Sequence, residues 1–528
     1  MPALSVVRAM SESKARRSPF GVPIAGVAVV LLGAAIASAA VLDLNSGHFT
    51  YNLDDAYIHL ALAEQIQAGH YGINAAEPSA PSSSILWPFL LAPFAATRFA
   101  ALIPFLINLL VAAACVVVFH GILDRSLIPV LRGSRGPVAC VVLILLVIGT
   151  NVIGLIFTGM EHGLQVLLGA VVLLGMIREV EDRRVPAWLP VAIAAGPLVR
   201  YESLAISAGA VSFLALRGHR RAALSTGVAT VLPLVAFSLF LASLGLGLLP
   251  ASVLMKAPTL GGGVDSMLGG LAQNLRAPAG IVFALGVALF GWLALRPSGA
   301  SGERLLAGVL ALALGLHLLA GRCGWHWRYE AYLMAFASLG MLHLFRDSVA
   351  RFIHERPAAV VALVGLLGCF AIGGRHMTAL ATLPRVSNNI YAQHYQMHRF
   401  AVDDYRAPAA VNDVGYVSFQ NENYVLDLWG LGSPEARLRA RETDPRWMNE
   451  VAARHGVELA MVHKDWFEAL PPNWREIGEL RLTRGWIEPA LETVCFYALN
   501  DSAYAKGRAA ADAFRKALPA GVVFTVRP

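Results

Sequence analysis

From Gly21 to Leu42 the chain reads GVPIAGVAVVLLGAAIASAAVL, without a single charge. Such a stretch cannot hydrogen-bond to lipid, so its backbone must close its own bonds as a helix. At 1.5 Å per residue it rises about 33 Å, enough to cross a hydrocarbon layer of about 30 Å. It follows Arg8, Lys14, Arg16 and Arg17 and is too long for the apolar part of a usual cleavable signal. It therefore reads as a retained signal-anchor helix, although the small residues from Ala35 to Ala40 resemble a cleavage site.

Apolar runs also begin near Ala101, Pro137, Gly163, Ala222, Gly280, Leu305, Tyr329 and Ala358. Two shorter runs, Ala187 to Val199 and Ser203 to Leu216, flank Arg200 as a tilted pair or a re-entrant hairpin. Ile85 to Ala96, broken by Pro88 and Pro93, reads as an interfacial segment. The expectation is an α-helical polytopic membrane protein with about 9–11 transmembrane helices. Composition agrees: 56% of the 528 residues are hydrophobic and 15% charged, against roughly a quarter charged in soluble domains. This excludes a single soluble globule and a disordered chain, and the 48 glycines follow no collagen repeat. The net charge of +7 rests almost wholly on Arg, and no basic tract is interleaved with aromatics, so no nucleic-acid partner is expected. Five cysteines without CxxC spacing indicate neither a disulfide framework nor a zinc site.

The Arg residues fall on alternate connections. One set holds Arg125, Arg132, Arg135, Arg178, Arg183, Arg184, Arg217, Arg220, Arg221, Arg296, Arg304, Arg346, Arg351 and Arg356. The other holds Arg98, Arg200, Lys256, Arg276, Arg322 and Arg328. The positive-inside rule then predicts a cytoplasmic N-terminus in the inner membrane, with loop 43–100 and the C-terminal part outside. From 375 onward the composition becomes that of a soluble domain. Runs such as Tyr424 to Leu428, Leu459 to His463, Val494 to Leu499 and Val522 to Val526 alternate with helical stretches at Pro434 to Glu442 and Ala505 to Ala517. Residues 1–374 are thus expected to form the transmembrane domain and 375–528 an extracytoplasmic soluble α/β domain.

Chemistry concentrates on the outer side. Asp54 and Asp55 open an amphipathic helix that runs to Ala68 and stops at Gly69. They serve either as N-cap and dipole partner or as a carboxylate base beside the membrane. Lys256 is the one Lys between Lys14 and Lys464 and suits a phosphate. Arg200 and Glu202 interrupt an apolar stretch, where each charge costs about 2.5–3.5 kcal/mol unless paired or solvated. Arg322, Arg328 and Tyr329 lie around Trp325 and Trp327, as a phosphate clamp or an aromatic belt with snorkelling arginines. Glu161, a lone acid between two spans, is a turn residue or the partner of a site Arg. His59, His70, His162 and His326 have no metal-ligand spacing, so neither metal nor cofactor is expected.

Taken in order, these pieces resemble a known group. Asp54-Asp55-Ala56-Tyr57-Ile58, Gly69 to Asn74, Ser82 to Trp87, Gly159-Met160-Glu161, Arg200-Tyr201-Glu202, Leu249-Pro250 with Lys256, Arg328-Tyr329, Asn412 to Tyr416 and Leu426 to Leu431 resemble polytopic glycosyltransferases of the GT-C superfold. Among these the chain is most similar to the branch containing cell-wall arabinofuranosyltransferases. It departs from that branch in having Tyr201 between Arg200 and Glu202, Ala251-Ser252 after Pro250, and Ala80 to Ser83 before Trp87. The resemblance implies an inverting transfer of a sugar, a pentofuranose such as arabinose among them, from a polyprenyl-phosphate donor to a glycan, lipid or protein hydroxyl. It implies Asp54 or Asp55 as base, with Lys256, Arg200, Arg322 and Arg328 at the leaving phosphate. The rival reading is a transporter or lipid flippase with a soluble outer domain. Repeated halves and midplane ionisable groups would mark that class, and the sequence shows no duplication.

Overall fold

A computed structural model describes residues 21–132, 135–256, 263–297, 299–324, 328–487 and 491–527. Among them, six helices are long and apolar enough to span a membrane: Gly21–Leu44, Ala100–Val130, His162–Asp182, Arg220–Ser243, Pro278–Leu295 and Ser301–Ala320. A seventh candidate is bent by 76° between 358–371 and 373–405. Shorter apolar helices are Arg135–Gly149, Trp188–Val199, Tyr201–Leu216 and Ala331–Leu344. The chain is a polytopic membrane protein. Its outer surface shows why: Leu110, Leu224 and Leu295 are more than 70% exposed while Phe119, Phe213 and Phe336 fill the interior. A bundle apolar on both sides is built for a solvent as apolar as its core. Helices cross closely where the sequence supplies Gly. A Cβ on Gly26 would stand 2.7 Å from Val116, and one on Gly340 2.7 Å from Leu310.

The run flanking Arg200 resolves as helix Trp188–Val199, a 3₁₀ turn Tyr201–Ser203 and helix Leu204–Leu216, with Arg200 extended between them. The short segment after loop 43–84 is helix Leu86–Leu91 followed by a 3₁₀ turn Ala92–Phe94. The composition change at 375 does not coincide with a loop. It falls inside helix Ala358–Ile390, just beyond the bend.

The C-terminal part is a six-stranded sheet: β1 Ala409–Val411, β2 Val425–Asp427, β3 Leu459–Val462, β4 Arg475–Leu482, β5 Thr493–Ala498 and β6 Val522–Val526. Their order is β2-β1-β3-β5-β4-β6. β2, β1 and β3 are parallel, while β5 is antiparallel to β3 and β4, and β6 to β4. Phe400, Phe496, Phe514 and Phe524 pack edge to face on one side, where Asn500 caps helix Asp501–Phe514 through the Ala503 amide. Two strands escape the periodicity. β1 is Ala-rich and only three residues long, and a register shift between Glu476 and Gly478 interrupts the alternation of β4.

The chain leaves β1 for β2 on one side and returns to β3 on the other. The carboxyl ends of β1 and β3 therefore meet at a topological switch point, where open α/β sheets form a crevice.

Candidate active site

Helix Asp55–Gln67 is the hinge of the arrangement. Residues 56–63 are all buried, because the helix lies between the bundle and the α/β domain rather than on a surface. Tyr51 donates to the Ala101 carbonyl at 2.7 Å, and Tyr57 stacks on Tyr416 with ring centroids 3.8 Å apart. Asp54 occupies the N-cap position, yet its side chain makes no capping bond. Its two carboxylate oxygens instead accept the backbone N–H groups of Gly415 and Tyr416, each at 2.8 Å. A Cβ on Gly415 would stand 2.1 Å from the Asp54 carbonyl oxygen, so this approach requires glycine. Burial pushes the Asp54 carboxyl up to about 6, against the opposing pull of the His394 ring and the two amides.

Around Asp54 the crevice supplies further ionisable groups. His394 Nε2 lies 3.3 Å and His463 Nε2 3.7 Å from Asp413 Oδ2. Asn412 Oδ1 accepts the His463 amide at 2.8 Å. His463 Nδ1 faces the Thr493 carbonyl at 2.8 Å, and a carbonyl only accepts, so that nitrogen carries the hydrogen. Asp54, His394 and Asp413 each offer one ligand atom, all within 4.8 Å of one another, and could hold a divalent cation. Sequence spacing could not show this set, since its members are scattered along the chain from 54 to 413.

On the other side of Asp54, Asp55 pairs with Arg328, which also points Nη1 at Met160 Sδ at 3.2 Å. The Asp55 side chain is 33% exposed while Arg328 is fully buried. Arg200 Nη1 donates to Glu161 at 2.6 Å and to Ser83 at 3.4 Å, and Nη2 donates to Glu202 at 2.8 Å. Tyr329 joins the two arginines, with the Arg328 and Arg200 guanidiniums 5.1 and 5.4 Å from its ring centroid. Glu161 continues through His59 Nε2 at 3.5 Å, and His59 Nδ1 meets Ser82 Oγ at 3.1 Å. Trp87 Nε1 donates to the Gly159 carbonyl, locking the serine run to the Glu161 turn.

Asp54, Asp55, Glu161, Arg200, Glu202, Arg328 and Tyr329 are thus brought together. Glu161 sits in the turn before helix His162–Asp182 and is at the same time the partner of Arg200. Arg322 stays outside these contacts: its side chain is exposed, and its carbonyl faces His317. The Lys256 side chain lies outside the described residues, as do Trp325, His326 and Trp327. His59, Ser82, Ser83, His394, Asp413 and His463 were missed as site residues. The serines and Asp413 lie within runs already noted, but nothing in the sequence marks His394.

Residues 388–497 match a family described as a domain of unknown function, DUF8728. No curated protein matches the chain. Among solved structures it is similar to the apo oligosaccharyltransferase of Archaeoglobus fulgidus, at 12% identity and a TM-score of 0.45, covering 91% of this chain and 77% of that one. The same enzyme, AglB, in complex with an inhibitory peptide and a dolichol-phosphate is matched at 11% identity and a TM-score of 0.45, with the same coverage. Arabinofuranosyltransferase AftD from Mycobacteria is matched at 16% identity and a TM-score of 0.39, covering 90% of this chain and 42% of that one. These likenesses are distant, and what the site does is read from its own side chains.

Proposed function

We propose that the chain is an inverting membrane glycosyltransferase that takes a sugar from a polyprenyl-phosphate donor at the outer leaflet. One observation carries the reading: a partly open carboxylate, Asp55, is paired with a buried arginine, Arg328, where the helical bundle meets the α/β domain. That juxtaposition matches the needs of the reaction. An acceptor hydroxyl attacks the anomeric carbon from the face opposite the phosphate, and its proton passes to Asp55. The bond from that carbon to the phosphate oxygen breaks, and its electron pair leaves on the phosphate. The developing negative charge then attracts Arg328, whose pairing with Asp55 is exchanged for the phosphate as the donor binds.

Asp55 is the better base on access, since Asp54 is buried and both its oxygens are held by backbone amides. Arg200 serves the site from within. Glu161 and Glu202 clamp it from two sides, so it fixes Tyr329, whereas Arg328 pairs with the partly exposed Asp55 and is the arginine that can exchange its partner for the phosphate. Lys256 remains a candidate for the phosphate on sequence grounds. Support for the outer-leaflet placement is the Arg asymmetry of the connections, and support for the donor class is the ordered set of resembling motifs.

The test incubates purified protein in lipid nanodiscs with a panel of polyprenyl-phosphate sugars and measures released polyprenyl phosphate. Asp55→Asn should lower release by at least about 10³-fold, within the range for a base acting on a weak nucleophile. Release at wild-type rates from Asp55→Asn would sink the assignment of the base. Sugar-independent movement of the lipid across a sealed bilayer, without release, would favour a flippase instead.

A further inference from the structure

The carboxyl edge of the parallel strands carries more than ionisable groups. After β2, a tight loop holds Trp429 in solvent, 39% exposed. The loop is built for this. Buried Asp427 accepts the Trp429 amide at 2.9 Å and the Gly432 amide at 2.7 Å, its carbonyl accepts the Gly430 amide, and Gly430 adopts φ +90°. After β3, half-buried Trp466 lies with its ring centroid 4.8 Å from that of Trp429, tilted by 59°. Trp466 is in turn 5.7 Å from the His463 ring, which meets Asp413. Exposed Lys464 and Asp465 flank it. The aromatic pair thus connects through His463 and Asp413 to the cluster that holds Asp54, the residue next to Asp55.

A lone exposed Trp needs no explanation, but two rings presented together by rigid loops beside a reaction centre do. The face of an indole carries negative charge density, which favours the slightly positive C–H face of a sugar ring. Neighbouring Lys464, Asp465 and Asp413 offer partners for the hydroxyls around the ring's edge. A peptide acceptor would be bound through backbone partners or a deep side-chain pocket, and a lipid acceptor through a continuous apolar groove. A small aromatic platform with charged flanks is none of these.

We propose that the acceptor is a saccharide, one ring of which stacks on Trp429 with the tilted Trp466 as a wall beside it, at the carboxyl ends of β2 and β3. This rests on the glycosyltransferase reading, and it names the acceptor class for that site. The platform sets the acceptor's position and so governs its binding, while Asp55 takes the proton.

The experiment titrates the full-length protein in nanodiscs, without donor, with arabinan, mannan and galactan pentasaccharides by isothermal calorimetry. At least one should bind. Trp429→Ala and Trp466→Ala should each weaken it by at least about tenfold, and Trp429→Phe by less than either. Trp486→Ala, another exposed Trp but two strands away on the same sheet edge, should leave binding unchanged. In turnover the two alanine variants should raise KM for the saccharide and leave KM for the donor alone. No binding by any of the three probes, or binding indifferent to both substitutions, overturns the proposal. So does quenching by brominated lipid that disappears in Trp429→Ala, which would assign the ring to the bilayer interface. Trp-dependent binding without release of polyprenyl phosphate from any donor would overturn the enzyme while upholding the saccharide site.

Discussion

Arg200 and Glu161 provide a quantitative test of how the site is held together. Their side chains are 1% and 0% exposed, and the guanidinium meets the carboxylate at 2.6 Å. With charge centres about 4 Å apart and an effective dielectric of about 20, the attraction is about 4 kcal/mol. The cost of burying both ions offsets much of this, so the pair as a whole contributes little net stability. Breaking it is another matter. Glu161→Leu leaves Arg200 buried with Glu202, which is 25% exposed and a weaker partner. Arg200→Met leaves Glu161 buried with His59, at 3.5 Å, as its remaining ion-pair partner among the described residues. Each single substitution should cost about 3–5 kcal/mol. The double variant leaves no uncompensated ion, since Glu202 can turn to solvent, and should cost clearly less than the sum. A coupling of at least about 2 kcal/mol is expected from the cycle. The assay is reversible unfolding in mixed micelles, titrated with SDS and followed by tryptophan fluorescence for all four proteins. Additivity to within about 0.5 kcal/mol would show that the two side chains do not depend on each other, and the buried network would have to be abandoned.

Three further outcomes follow from the same contacts. Gly415→Ala drives a methyl group into the Asp54 carbonyl, so amide exchange of residues 412–419 should accelerate at least about tenfold; unchanged protection would mean the helix and the sheet do not dock there. Asp54→Asn should accelerate the same amides, because its Nδ2 cannot accept and one buried N–H is orphaned at about 1–3 kcal/mol, whereas Asp55→Asn should leave them protected. Because the folded state raises the Asp54 carboxyl from 3.8 to about 6, it binds that proton more tightly than the unfolded chain does. Raising the pH from about 4 to about 6 should therefore cost stability through this group, with no further change above, and thermal midpoints should show a shallower fall in Asp54→Asn than in the wild type; identical slopes would remove Asp54 as the titrating group.

Much of the architecture was legible because lipid is an unforgiving solvent. Each apolar run noted along the chain corresponds to a helix, even the short pair around Arg200, since length and hydropathy alone decide whether a backbone can satisfy itself without water. In the C-terminal domain the strands with strong apolar runs were legible too, whereas the short β1 and the irregular β4 carried no clean period.

The sequence by itself determined which residue types carry charge in an apolar chain, and that is why Asp54, Asp55, Glu161, Arg200, Glu202 and Arg328 stood out: an unpaired ion there is too costly to be incidental. It could not determine the pairing. That Arg328 meets Asp55 across 273 positions depends on how the bundle packs on the outer helix, and that Asp54 holds the Gly415 and Tyr416 amides rather than capping its own helix depends on where the α/β domain lands on the bundle. His394, Asp413 and His463 join the candidate site, and the two tryptophans come to lie beside it, for the same reason. Each is ordinary in its own segment, and only the parallel pairing of β1 with β3 in the sheet gives them common neighbours. Local chemistry fixes the cost of leaving a group unpartnered, but long-range packing chooses the partner.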